Sequence, residues 1–372
     1  MSTDTKPPFR AEHVGSLLRP PELRQAFRQF SSGEIDAPAF TGIQDAAIAK
    51  AVQMQEAIGF GLATDGEFRR ASYWSPVIDA VEGLTVRPAN FSFRDASGET
   101  LGFIAPYVDG KLRRRRGIVT TDYVFVAKTV RRAIPKITLP TPSTFHFWRG
   151  PGAYDRAAYS DVAELLDDVA AVFRAELAEL AALGCRYVQL DEVALIMLAD
   201  PDIRRTVTDR GEDPDRLAGF YIEAINAVVA GRPVDMRVGL HMCRGNFRGK
   251  FLSAGGYEAI AERVFGGTAI DILFLEYDSE RAGDFGALKY VPDEKSVVLG
   301  VVSSKTPALE SKADLHRRID EAARIIPLDR LALSPQCGFA SAASGNPLSP
   351  ADQEAKLRLV VEVARETWGE PK

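Results

Sequence analysis

Only three cysteines and four histidines occur in 372 residues, so their positions carry information. His241 and Cys243 stand two apart in the run H-M-C, a spacing that on extended backbone turns both side chains to one side. Glu276 closes the apolar run IDILFLE, and Cys337 follows LALSPQ. Cysteine, histidine and carboxylate are the ligands zinc prefers, at about 2.0 to 2.3 Å, and thiolates argue against magnesium or calcium. Taken singly, each has an ordinary reading. A cysteine at a strand end is commonly a small buried hydrophobe, and Cys185, which precedes a strand, is assigned to that class. A lone His or Glu commonly caps an element or sits satisfied at the surface. Two of three cysteines and one of four histidines at the ends of separate apolar runs are read instead as one metal site with Glu276.

The charge of such a set suggests its use. Two thiolates and a carboxylate set about −3 against the +2 of zinc, too electron-rich for strong Lewis acidity or for activating water. A thiol-rich site suits a further thiol, whose pKa it lowers while leaving the sulfur nucleophilic. The chemistry implied is alkyl transfer to sulfur.

Such a site needs strand ends that converge. Eight apolar or β-branched runs read as strands, at 11–16, 60–65, 136–142, 186–191, 236–242, 270–276, 296–302 and 331–336. Amphipathic segments at 41–58, 161–183, 214–230, 255–265, 310–325 and 350–366 read as helices, several opened by Asp or Ser. This alternation predicts an α/β fold of the (β/α)8 TIM-barrel class. The competing doubly wound sheet is disfavoured, because no G-x-G-x-x-G follows the first strand. Barrels do chemistry at the C-terminal ends of their strands, and here those ends carry Gly15-Ser16, Asp65-Gly66-Glu67, Ser143, Asp191-Glu192, His241-Met242-Cys243, Glu276-Tyr277-Asp278, Ser303-Ser304-Lys305 and Cys337-Gly338. The chain is read as one domain over 1–372, with residues 72–130 as a β-hairpin insertion and 1–40 as an N-terminal arm. The basic run Arg113 to Arg116 is placed at a solvated hairpin tip.

With 46 Lys+Arg against 51 Asp+Glu, the net charge of −5 leaves no footprint for nucleic acid or an anionic membrane. No apolar run approaches the ~18 residues of a membrane span. Three cysteines build no disulfide framework, and the opening MSTDTKPPFR lacks the apolar core of a secretion signal, so a cytoplasmic location is expected.

The motifs HVGS, TDGE, VQLDE, HMC, LEYD, GVVSSKTP and SPQCG, in that order, resemble the cobalamin-independent methionine synthase family, in the single-barrel form of its catalytic domain. The resemblance runs from about residue 10 to 366, and H-x-C with Glu and Cys is its specific part. It implies zinc on His241, Cys243, Glu276 and Cys337, homocysteine as methyl acceptor, and Ser16, Glu67 and Asp191 as contacts for its amino-acid end. The implied donor is of the 5-methyltetrahydrofolate type. Two carboxylates suit an ammonium, and a turn amide and hydroxyl suit a carboxylate.

Departures from the family bear on the donor. Asp191-Glu192-Val193-Ala194 replaces D-E-P-A, and Lys305-Thr306-Pro307 replaces His-Ser-Pro, whose histidine is a candidate proton donor to the folate nitrogen. Lys305 is expected to act there with a lowered pKa, alongside Asp191 as a catalytic group. Trp148 or Phe147, in PTPSTFHFWRG, together with Glu192 and His13, are the candidates for donor contacts; His146 has no clear counterpart. Alternatives are a methyl-corrinoid protein as donor, a coenzyme M-like thiol as acceptor, a metal-free decarboxylase-like barrel, and a zinc-stabilised binding protein. Homo-oligomerisation is left open.

Overall fold

The computed structural model describes residues 9–94 and 97–370. In chain order its strands are β1 (Leu62–Ala63), β2 (Val81–Arg94), β3 (Thr100–Arg114), β4 (Ile134–Pro135), β5 (Ile137–Pro140), β6 (Tyr187–Glu192), β7 (Arg237–Met242), β8 (Ile272–Glu276), β9 (Ser296–Val302) and β10 (Leu331–Pro335). Strands β5 to β10 form a six-stranded parallel sheet in sequential order. Nearly every residue in it is buried, as expected of strands covered on both faces. The helices that follow the strands begin on the caps the sequence supplies. Asp36, Asp161, Asp213, Ser311 and Ser349 each accept a first-turn backbone N–H, and Ser349 and Asp352 form a reciprocal capping box.

The sheet extends at both edges. β1 pairs in parallel with β4, which runs on into β5, and Ala11 bridges in parallel to Leu333 of β10. Eight parallel segments thus follow one another in barrel order. Residues 11–16, expected as a full strand, enter the ladder only around Ala11, and the expected strand 60–65 shortens to Leu62–Ala63. Side chains explain the early exit. Thr64 Oγ1 donates to Gly15 O (2.7 Å) and Gln189 Nε2 to Val14 O (2.6 Å), so carbonyls that a neighbouring strand would have paired are already satisfied. Among the described residues no β-ladder joins this segment to β1; Leu17 N donating to Gly66 O (3.1 Å) spans the gap.

β2 and β3 form a long antiparallel hairpin, followed by the helix Thr120–Thr129. Arg113–Arg116 lies at the base of this hairpin and not at its tip. Val81 pairs with Arg114 there, Arg113 and Arg115 meet Glu82, and Arg114 reaches Glu179 and the fully buried Glu176. Glu176 also accepts the N–H groups of Ile118 and Val119, so the basic run anchors the hairpin to the helix Val162–Ala182.

A candidate thiol and metal site

β6, β7 and β8 end side by side, with Asp191 opposite His241 in the ladder. Tyr257 ties the last two together, its hydroxyl donating to Met242 O (2.8 Å) and accepting from Glu276 N (2.8 Å). Against this frame, ligand atoms of His241, Cys243 and Cys337 lie within 4.8 Å of one another, all buried. The two sulfurs are 3.6 Å apart and form no disulfide. Neither ring nitrogen of His241 has a hydrogen-bond partner. A buried imidazole with two idle nitrogens beside two free thiols is costly as it stands, and a soft divalent ion such as zinc would satisfy it.

The pair of thiols is polarised. Cys243 is pushed up by its hydrogen-bonded neighbour and by burial, while Cys337 is held well below the usual thiol range by Cys243 and by the His241 ring. Burial works against a charged imidazole, yet Cys337, Asp191 and Glu276 raise His241 on balance.

Cys243, Cys337 and His241 share the wall of a cavity of about 260 Å³ with Ser16, Glu67, Asp191 and Trp148. Ser16 Oγ accepts from Ala340 N at 3.4 Å, and its carbonyl takes the N–H of Phe339. Glu67 sits in the left-handed region at φ 59, its amide held by Asp65 Oδ1 (3.0 Å) and its Oε1 by Thr138 Oγ1 (2.7 Å) and Arg70 (3.5 Å). Burial raises its pKa against the opposing pull of Arg70. Asp191 is pushed up to about 7, chiefly by burial, with His241 opposing and Glu67 adding to the rise.

Four sequence candidates are not among the lining residues. Glu276 stands outside the close trio. Its Oε2 accepts from Arg244 N (2.6 Å), and its Oε1 pairs with Arg281 (2.5 Å) and Lys305 (3.3 Å). Burial alone would raise it, but Lys305, Arg281 and Arg244 hold it well below the carboxylate range. Lys305 is not lowered as expected: burial opposes its charge, but Glu276 and Asp278 prevail and raise it. Glu192 turns away from the cavity and accepts from Thr141 (2.6 Å), Ser143 (2.7 Å) and Leu195 N (2.8 Å). His13 packs edge-on against Phe60 and is pushed down to about 3 by burial and then by Lys136. Of the other residues singled out, Phe147 stacks on Phe91 (5.1 Å) and His146 meets Tyr221 OH (2.8 Å) and Glu212 (3.1 Å). Cys185 is buried with its sulfur 3.6 Å from Tyr187 O, outside the site.

Residues 9–366 match the family described as cobalamin-independent synthase, catalytic domain. The chain belongs to that family. It is 37% identical over 366 residues to YxjH of Bacillus subtilis (strain 168), covering 98% of this chain and 96% of that protein. A methionine synthase of Pyrococcus horikoshii is 27% identical over 330 residues, covering 88% and 85%. Among solved structures, a Listeria monocytogenes protein described as a vitamin-B12 independent methionine synthase superposes with a TM-score of 0.75 at 31% identity, covering 98% and 99% of the two chains. The family is enzymatic. In this family member the hairpin β2–β3 brings residues to the cavity that sequence reading missed, notably Phe93, Phe103 and Ile104, with Tyr73, Asn246 and Phe247 from loops. The alternation F-S-F at 91–93 was the available signal for the first. No helix among the described residues is long and apolar enough to cross a membrane.

Proposed function

We propose that this protein methylates the thiol of homocysteine to give methionine, with zinc held by His241, Cys243 and Cys337. The observation that carries this reading is the close trio of buried ligand atoms, with both His241 nitrogens unpartnered, on the same cavity wall as Ser16, Glu67 and Asp191. Zinc bound there would take the acceptor sulfur as a thiolate that stays nucleophilic at neutral pH. Glu67 and Asp191 face an ammonium group, and the Ser16 hydroxyl with the neighbouring amides of 339–340 faces a carboxylate. Gripping the amino-acid end in this way points the thiol at the cysteines and fixes its approach, a proximity and orientation effect. Glu276 is the fourth candidate ligand. Arg244, Arg281 and Lys305 compete for its carboxylate, which makes it the most readily displaced of the four.

A 5-methyltetrahydrofolate-type donor follows from the family and must shed its methyl from a tertiary amine. Lys305, raised and bonded to Glu276, is not a proton source for that nitrogen. The test is zinc-edge X-ray absorption on the reduced, zinc-loaded chain. Two sulfur ligands are expected to become three on adding homocysteine, and Cys243→Ser or Cys337→Ser is expected to abolish stoichiometric zinc. Two sulfurs remaining two would refute the reading.

A further inference from the structure

The donor side of the cavity is built of rings. Tyr73, Trp74, Phe93, Phe103, Trp148 and Phe247 line it, and four of them pack together: Phe93–Phe103 at 5.0 Å between centroids, Phe103–Trp148 at 5.1 Å and edge-on, Phe93–Phe247 at 5.5 Å. Among the described residues no Lys or Arg lines this wall, and its carboxylates are Glu67 and Asp191. The cations nearby are turned elsewhere. Arg19 donates to Glu67 O and Ala340 O, Arg70 to Thr138, and Lys305 pairs with Glu276. Tyr73 Oη, Trp148 Nε1 and Asn246 Oδ1 on this wall have no well-formed hydrogen bond, Tyr73 and Trp148 lying beside one another. An aromatic wall without Lys or Arg attracts a methylated cation through the ring quadrupoles, tryptophan most strongly.

From this lining the geometry points to a small onium compound, a methylsulfonium or a quaternary methylammonium, as a methyl donor for the site. The inference rests on the thiol-methylation reading above. In the step, the acceptor thiolate forms a new S–CH3 bond while the onium–CH3 bond breaks. Its electron pair stays on the onium atom, which leaves as a neutral thioether or tertiary amine. No proton is needed for departure, in keeping with a lysine at position 305 that stands outside the lining and is bonded to a carboxylate.

The test has two arms on the zinc-loaded full chain. Calorimetry compares choline with its neutral carbon isostere, 3,3-dimethylbutanol. Choline is expected to bind about tenfold more tightly or better, the preference surviving in Trp148→Phe and falling in Trp148→Leu and in Phe103→Leu, a half-buried position of the hairpin. Equal binding of cation and isostere overturns the proposal. In the second arm, S-methylmethionine or glycine betaine with deuterated methyl groups is supplied with homocysteine, and deuterated methionine is read by mass spectrometry. Transfer from either supports the proposal and tells sulfonium from ammonium; transfer from 5-methyltetrahydrofolate or methylcobalamin alone overturns it. Failure of homocysteine to join the zinc would sink the thiol reading instead, and the choline preference is measured without homocysteine.

Discussion

Replacing Asp191 by Asn should stabilise the metal-free protein at alkaline pH and leave it nearly unchanged in acid. Burial moves this carboxyl from its ordinary 3.8 to about 7. Below pH 3.8 both the folded and the unfolded chain hold the proton, and the group contributes nothing. Between 3.8 and about 7 only the folded chain holds it, so folding takes up a proton and stability falls as pH rises. Above about 7 the carboxylate must exist charged inside the cavity. A shift of about 3 units then corresponds to at most ~4 kcal/mol lost, at 1.36 kcal/mol per unit. Asn imitates the neutral acid at every pH and keeps the acceptor for Gln189 Nε2, which lies 2.7 Å from Oδ1. Chelated wild type and D191N, unfolded by heat at pH 5.5, 7.0 and 8.5, should diverge progressively, the variant leading by ~1 to 4 kcal/mol at the highest pH. Homocysteine affinity should fall at the same time, since the ammonium loses a carboxylate. If D191N gains nothing between pH 5.5 and 8.5, burial is not what sets this group, and its assignment as a partner awaiting a cation fails.

Two further outcomes follow from the packing. A Cβ added at Gly338 would sit 1.9 Å from Ser16 Oγ, so Gly338→Ala should push that hydroxyl off the substrate carboxylate and raise the KM for homocysteine by about tenfold or more, with zinc content unchanged. Loss of zinc in this variant would show the effect to be on Cys337 instead. Glu176→Ala removes the acceptor for Ile118 N and Val119 N and one of the two carboxylates that hold Arg114, Glu179 remaining. A loss of about 3 kcal/mol and a lowered Tm are expected while zinc binding survives, and an unshifted Tm would show the hairpin base to be held by something else.

The parts of this protein that repeat a simple period were legible in the sequence. The runs that became β6 to β10 are apolar on both faces, and Asp161 or Ser349 marks a helix start because a short side-chain acceptor must serve the first turn. The trio of His241, Cys243 and Cys337 was legible too, since strand ends in such a fold meet at one mouth and the ligand types are scarce. What escaped depends on contacts between distant loops. That Glu276 would be wrapped by Arg244, Arg281 and Lys305 has no sequence period, because the three cations approach from separate connections. Likewise Thr64 and Gln189, ordinary strand residues by type, take the carbonyls of residues 14 and 15 and end a strand that the apolar pattern would continue.

The two carboxyl groups nearest the trio show how one fold separates their roles. Glu276 is surrounded by permanent cations and a backbone N–H, so it is charged whatever arrives in the cavity. Asp191 has weaker company: among the described residues its side chain takes a hydrogen bond from the neutral amide of Gln189, His241 and Arg70 pull only in part, and burial keeps its proton on to about pH 7. A group that ionises only at the cost of burial becomes a strong partner once a cation enters with the substrate, because the two then cancel in a poorly solvated space. On the proposed reading, the difference makes Glu276 a standing charge and candidate ligand beside the thiols, and Asp191 the partner of an incoming ammonium. Carboxyl types alone would not have distinguished them, since each ends a parallel strand of the same sheet.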